Sequence, residues 1–472
     1  MLFSSVTFLY YFLPVVLTCY FLVPMPRGST VLRNVVLLAA SIVFYMWGEP
    51  VFVLVMLGQT FAGWIFGLLI EKWRNQPRRA KAALVWAIIV SIAALGFFKY
   101  ADFFIENVSQ LTGVPLAALK IALPIGISFY TFQILSYDID LYRGNANVQR
   151  NFLSFATYVT IFPPLIAGPI VRYVQIENEL GVRRTTLSDF ADGIRRFVIG
   201  LGKKVLIANV LGELVAVYQA SDEASVLFVW LYVVAYALHI YFDFSGYSDM
   251  AIGIGRMFGF RFPENFNYPY IAASVTDFWR RWHMSLSSWF RDYVYIPLGG
   301  NRVPLARHVF NIALVWFLTG FWHGAGWNFI LWGLFYAVIL LLEKYAIGGI
   351  LAKLPILSHL FVILCFLVSW IFFDAATPAA AATRVGMMFG VGTDTGAGPE
   401  AVYYLRSYLV PLLVAGVGAT PLPARVAGAV FGTDKGKKVR LVAEPIFLAV
   451  LLITVTAFLV DGSFNPFIYF RF

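Results

Sequence analysis

Thr319-Gly320-Phe321-Trp322-His323-Gly324-Ala325-Gly326-Trp327-Asn328 lies between two apolar runs, 309–322 before it and 327–343 after it. Together the runs predict a helical hairpin set in a membrane, with His323 at its apex, at or beyond mid-membrane. An ionisable ring among Leu, Phe and Trp at that depth costs free energy, so it is a functional candidate unless a partner group accounts for it. The neighbouring glycines leave room for something to approach the ring closely. A catalytic histidine and a packed structural histidine both stay open at this point.

Working outward, the whole chain has the composition of its centre. Of 472 residues, 60% are hydrophobic and 13% are charged, which no soluble protein of this length requires. Apolar runs fall near 6–24, 33–47, 51–70, 84–100, 119–137, 197–218, 225–250, 309–322, 327–343, 357–373, 403–421 and 444–461. The expected fold is therefore all-α and polytopic, with about 10–12 spans plus re-entrant and interfacial helices, in one membrane domain over 1–472. The run Val6 to Val23 lacks a basic n-region and a small-residue cleavage site, so it reads as a retained span and not a signal peptide. Cys19 and Cys365 lie in separate apolar runs with no thiol or histidine at metal spacing, and read as packing residues.

Charge is distributed unevenly. Basic residues crowd the loops at 72–81, 172–204, 256–307 and 425–440, whereas 101–115, 221–223 and 374–400 are acidic or nearly neutral. The positive-inside rule places the basic loops in the cytoplasm and, by alternation, both termini outside it. The net charge of +10 is thereby explained by topology, without nucleic-acid binding. The segment from Ala156 to Ile170 is apolar but carries Pro163-Pro164 and Gly168-Pro169 and is flanked by basic residues on both sides. It reads as a re-entrant stretch, which requires its backbone to be covered by protein.

Residues 239–302 hold most of the polar information. Asp243 and Asp249 end an apolar span, and His239 and Asp243, four apart, share a helix face. A structural pairing that fixes helix packing and a catalytic pairing are both compatible with that spacing. From Ser274 to Tyr295 the pattern fits one amphipathic helix, with Phe278, Trp282, Trp289 and Tyr293 on one stripe. Thr276, Arg280, His283, Ser287 and Arg291 form the other. Such a helix either lies flat in the interface or turns a polar stripe inward, with Arg280 and Arg291 available to an anion and His283 facing the site.

Several chemistries lack their residues. There is no Gly-x-Ser-x-Gly elbow, P-loop or dinucleotide fingerprint, and His239, His283 and His323 have no metal-ligand spacing. Acyl transfer fits a lone histidine well. Burial disfavours an imidazolium, and a neutral ring can take a proton from an attacking hydroxyl. A thioester donor then needs little beyond hydrogen-bond donors for the oxyanion, which Asn328 or a backbone N–H near Gly324 could supply.

Several strings resemble a known family. Leu123-Pro-Ile-Gly-Ile-Ser-Phe-Tyr-Thr-Phe-Gln133, Phe162-Pro-Pro-Leu-Ile-Ala-Gly-Pro-Ile-Val-Arg172, Tyr241-Phe-Asp-Phe-Ser-Gly-Tyr-Ser-Asp-Met250, Phe278-Trp-Arg-Arg-Trp-His283 and Phe321-Trp-His-Gly-Ala325 are similar to the membrane-bound O-acyltransferase (MBOAT) family. The nearest likeness is to its bacterial alginate O-acetylation branch, which Pro466-Phe-Ile-Tyr-Phe-Arg-Phe472 also resembles. The similarity covers essentially the whole chain.

The resemblance implies a catalytic role for His323, from the Trp-His-Gly-Ala string, and a role in activity for His283. It implies a ring of helices around a thinned centre, open to the cytosol for an acyl donor and funnelled from the other face. The expected function is transfer of acetyl from acetyl-CoA across the bacterial inner membrane to an exported polysaccharide, alginate-like or cellulose-like. Delivery would be direct or through a periplasmic SGNH-type partner; no bound cofactor, metal or nucleic acid is expected. A Gram-positive branch of the family instead moves D-alanine from a carrier protein. In the expected scheme Arg280, Arg281 and Arg291 meet the donor's phosphates, and Asp243, Asp249 and His239 are structural polar residues. Rival classes are a transporter, which predicts related halves that the sequence does not show, and a non-catalytic scaffold of an export complex.

Overall fold

The computed structural model describes residues 1–25, 28–394 and 396–462; the terminal string Pro466–Phe472 lies outside them. The protein is 76% helical, and among the described residues the one extended pairing is an isolated bridge between Ser225 and Asp394. Among the described residues eight helices are long and apolar enough to cross a membrane: Val53–Lys72, Pro77–Thr112, Val226–Met257, Leu305–His323, Trp327–Leu351, Pro355–Asp374, Pro399–Gly418 and Asp434–Asp461. Phe8–Leu22, Val31–Met46 and Leu422–Phe431 are shorter apolar helices. The protein is thus a polytopic helical membrane protein.

Two expected spans are redrawn. The run 119–137 opens in non-helical backbone, and its helix is Ile127–Arg143. Gly113, in the left-handed region at φ 69°, ends the preceding helix, and Pro115 and Pro124 follow it. The run 197–218 is helical, but Lys203, Lys204, Asn209 and Glu213 interrupt its apolar surface, and it is not one of the eight apolar helices.

The described residues form two compact units, each treated by itself: Met1–Phe197 with Ser248–Glu264, and Val198–Tyr247 with Asn265 onward. In the first, the expected re-entrant stretch is two short helices, Phe152–Thr160 and Phe162–Leu165, and every residue from 154 to 171 is buried. Asn151 caps the first helix by accepting from the Leu153 and Ser154 amides. At the break the Phe162 amide donates to Ser41 Oγ at 3.1 Å, so the backbone group freed there is satisfied by a side chain. Buried Arg183 donates to Tyr20 Oη, Asn34 Oδ1 and the carbonyls of Glu179 and Phe258. Asp249 accepts from Arg196 at 2.9 and 3.0 Å, and the same guanidinium also reaches Glu264.

The second unit contains the hairpin. Leu305–His323 and Trp327–Leu342 pack together through two facing glycines. A Cβ on Gly320 would lie 2.3 Å from the Phe329 carbonyl oxygen, and one on Gly333 would lie 2.2 Å from that of Trp316. Only hydrogen at these positions permits so close a crossing, which is how membrane helices gain packing without a hydrophobic force between them. The acidic loops meet as well: Glu223 accepts from the Glu400 and Ala401 amides at 2.8 and 3.3 Å, an anion at the start of Pro399–Gly418.

His239 and Asp243 share a face of Val226–Met257, and each has a partner on a neighbouring segment. Both turn toward the π-helical segment Lys203–Asn209. Lys204 Nζ lies 2.6 Å from Asp243 Oδ1, with the two side chains 2% and 1% exposed, and His239 Nδ1 lies 2.5 Å from the Ala208 carbonyl. Lys204, which reads in the sequence as part of a cytoplasmic basic stretch, is the buried counter-ion of Asp243.

Candidate active site

His323 is the last residue of its helix. Gly324 and Gly326, both extended, carry the chain over the apex to the next helix. The imidazole is buried and meets three aromatic rings edge-on: Trp322 at 5.0 Å, Trp332 at 5.1 Å and Phe373 at 5.2 Å. Asn328, buried in the first turn of the second helix, sets its Oδ1 close to Gly326, where a Cβ would lie 2.5 Å away.

The amphipathic helix expected over Ser274–Tyr295 is broken. It forms Val275–Arg281 and Met284–Phe290, then a π-helical turn, Arg291–Tyr295. His283 stands at the break in the left-handed region, at φ 43° and ψ 54°, a conformation costly for a side chain with a Cβ and one that accumulates at functional sites. Asn265 holds it there. Its Oδ1 accepts from His283 Nδ1 at 3.1 Å and from Ser285 Oγ at 2.8 Å, and its carbonyl accepts from the Met284 amide at 2.9 Å.

The break changes which residues share a face. Trp282 and His283 turn inward and are buried, and His283 does not line the cavity that holds Arg280 and Arg291. Its Nδ1 proton points at Asn265, so Nε2 carries the lone pair, buried and with no hydrogen-bond partner among the described residues. Burial pushes the pKa of this ring down to about 3 and keeps it neutral. The ring lies 4.7 Å from Phe244 and 6.1 Å from Trp322, which also meets His323. One indole thus separates the two histidines singled out in the sequence.

The arginines border a different space. A cavity of about 1130 Å³ is lined by Trp279, Arg280, Arg291, Tyr295, Arg302, His308, Glu343 and Lys344, among others. Glu343 is turned away into the protein, accepting from the Val275 and Thr276 amides at 2.5 and 3.1 Å and from Thr276 Oγ1 at 2.6 Å. The cations Arg280, Arg291, Arg302 and Lys344 are left facing the cavity, although Arg291 also pairs with Asp292 at 2.7 Å. Two π-helical turns, Arg291–Tyr295 and Glu343–Ile347, supply the lining residues Arg291, Tyr295, Glu343 and Lys344, and such turns concentrate at functional sites. Arg281 is not among the lining residues; it pairs with Asp277 at 2.9 Å and donates to the Asn267 carbonyl at 3.3 Å.

An aromatic column leads from this cavity toward the apex. Trp279 lines the cavity and lies 5.7 Å from Trp332, which lies 5.1 Å from His323. Tyr336 and Trp316 complete the stack, at 4.8 and 4.6 Å from Trp279. Trp279, on Val275–Arg281, and His323, at the hairpin apex, are therefore two ring steps apart. Tyr295, His308 and Lys344 are not site residues in the sequence reading and Arg302 counts there only toward a basic loop; His308 and Lys344 each fall one residue outside the apolar runs 309–322 and 327–343. Among the described residues no group of three or more His, Cys, Asp or Glu could hold a metal ion.

Residues 143–392 match the family model described as MBOAT, membrane-bound O-acyltransferase family. The chain is 42% identical over 400 residues to a probable alginate O-acetylase AlgI of Pseudomonas aeruginosa, covering 83% of this chain and 76% of that protein. It is 33% identical to a peptidoglycan O-acetyltransferase of Helicobacter pylori, over 83% of this chain and 80% of that one. A teichoic acid D-alanyltransferase of Bacillus subtilis is 31% identical over 58% of this chain and 71% of its own length.

Proposed function

The chain belongs to the membrane-bound O-acyltransferase family, and from that premise we propose that it O-acetylates an exported polysaccharide, taking the acetyl group from acetyl-CoA on the cytoplasmic side of the bacterial inner membrane. It is a multi-pass membrane O-acyltransferase; donor, sidedness and acceptor are the parts proposed. The observation that carries the reading is the two-ended hairpin, with clustered cations at one end and a histidine enclosed by rings at the other.

A coenzyme A thioester has a multiply charged phosphate head and a long, thin arm ending in the acyl group. The cavity of about 1130 Å³ suits the head, with Arg280, Arg291, Arg302 and Lys344 as phosphate partners. The arm would follow the Trp279–Trp332 column, and the acetyl group alone would reach His323. There the imidazole takes the proton from an acceptor hydroxyl, and the oxygen attacks the thioester carbonyl. The tetrahedral adduct collapses to an ester, and the thiolate leaves with the proton returned by the ring. His283 Nε2, a neutral acceptor across Trp322, is suited to orient the incoming hydroxyl. Asn328 is the side chain proposed to donate to the oxyanion. Acetyl leaves on the face opposite the donor, to an alginate-like or cellulose-like polymer directly or to a periplasmic SGNH-type partner. The likeness to AlgI proteins supports the polysaccharide acceptor. With basic loops cytoplasmic, both chain ends lie on the periplasmic side.

Sealed vesicles of both orientations test the reading. Acetyl-labelled CoA added outside inside-out vesicles should label polysaccharide enclosed in the lumen, right-side-out vesicles should not, and His323→Ala should abolish the signal. Equal labelling in the two orientations contradicts the scheme.

A further inference from the structure

His308 lies in the first turn of Leu305–His323, buried, on the wall of the basic cavity. Both of its ring nitrogens are engaged. Nε2 is 3.0 Å from Tyr295 Oη and 3.2 Å from Lys344 Nζ, and Nδ1 is 3.0 Å from Tyr345 Oη. Two π-helical turns create this arrangement: Arg291–Tyr295 ends on one phenol, and Glu343–Ile347 brings the consecutive residues Lys344 and Tyr345 to one imidazole. Asn311, one turn further along the helix from His308, donates to the carbonyls of Leu298 and Gly300 and so secures the loop that carries Arg302.

The chemistry of the partners assigns the tautomer. An ammonium has protons to give and no lone pair, so Lys344 must donate, and Nε2 must be the bare nitrogen. The single ring proton is then on Nδ1, where the Tyr345 oxygen accepts it. In this state the single Nε2 lone pair accepts from Lys344, the ammonium keeps two further N–H groups, and the Tyr295 hydroxyl, 3.0 Å from the same nitrogen, is left to donate into the cavity. Glu343, the adjacent carboxylate, does not compete for the ammonium, because its oxygens are taken by Val275 and Thr276. A free lysine stem has large rotamer freedom, and a cation that must be ordered by its ligand binds that ligand less well than one already held.

We propose that His308 is a positioning residue of the donor cavity: by accepting from Lys344 it presents that ammonium, with the Tyr295 hydroxyl beside it, to a phosphate of the acyl donor. The proposal rests on the reading that this cavity holds the donor. His308 touches no reacting atom, so its effect falls on donor binding and not on the transfer step.

The test uses the full chain in detergent, with coenzyme A as the binding probe and acetyl-CoA as the kinetic donor. His308→Leu is expected to weaken coenzyme A and to raise the acetyl-CoA KM about five- to tenfold, with kcat changed less than about twofold. His308→Gln, whose amide oxygen reaches the Nε2 position, restores most of that loss. His308→Asn, which reaches only the Nδ1 position, does not, and it stands in for the leucine variant if that one folds poorly. The double variant His308→Leu/Lys344→Met binds no worse than Lys344→Met alone, because each removes the same held ammonium. The proposal is overturned if His308→Leu and His308→Asn bind coenzyme A normally while Lys344→Met does not, or if the losses multiply in the double variant. Should Lys344→Met, Arg280→Ala and Arg302→Ala all bind normally, the donor reading of the cavity fails, and the positioning role with it.

Discussion

Two histidines on one helix, His308 and His323, are housed in opposite materials. His308 is gripped by Tyr295, Lys344 and Tyr345 in a cavity bordered by arginines, and His323 is enclosed by the ring edges of Trp322, Trp332 and Phe373. Fifteen residues of helix place them about 22 Å apart, most of the way across a bilayer's hydrocarbon. Such a contrast suits the proposed transfer, in which a charged donor meets an apolar crossing. In the proposed scheme cations and hydrogen bonds would hold a phosphate head at one end, and only a small neutral group would pass among aromatic rings to His323 at the other.

The aromatic column is the point at which this contrast breaks most severely. Trp332→Ala removes the ring between Trp279 and His323 and leaves a cavity in a fully packed region, at a cost of about 3–5 kcal/mol. A large drop in the melting temperature of the detergent-purified protein, with transfer lost and coenzyme A binding retained by the folded fraction, is expected; unchanged transfer would show that the ring is not on the route. Next comes the seam that keeps the two ends on one rigid unit. Gly320→Leu drives a side chain into the Phe329 carbonyl and should destabilise by about 1–3 kcal/mol, read as a lower unfolding temperature and slower transfer. The smallest effects sharpen the boundary of the basic end. Arg280→Ala should raise the donor KM several-fold, whereas Arg281→Ala, half-exposed and paired with Asp277 outside the cavity, should alter it less than about twofold. Equal effects of the two would redraw the cavity.

Much of this arrangement is legible in the sequence, and the misreadings have physical causes. The hairpin and its apex follow from two apolar runs around a glycine-rich turn, and the broken segment at 156–170 follows from its prolines. The break at His283 is not legible, because the aromatic stripe Phe278, Trp282, Trp289 and Tyr293 suits an unbroken helix equally well. The interruption comes from Asn265, nearly twenty residues away, which captures Nδ1 and the backbone of the next turn. Lys204 is hidden for a similar reason. A lysine beside another lysine and near arginines reads as a topological signal, and only the π-helical segment turns it into the partner of Asp243. Arg280 and Arg281 are indistinguishable by type, but the stripe Thr276, Arg280, Ser287 and Arg291 already separates them by helix phase, and all four line the cavity. His308 stands one residue outside the apolar run 309–322, at the helix edge where an ionisable ring carries less cost, so the depth that marks His323 does not mark it.

The division of labour between the two ends is tested most directly by measuring coenzyme A affinity and acetyl transfer on one preparation of His323→Ala. That division predicts donor affinity within about twofold of the unaltered protein and transfer reduced about a thousandfold, the loss expected for a missing general base. Transfer at the unaltered rate, in a protein that is folded and binds donor, would contradict it.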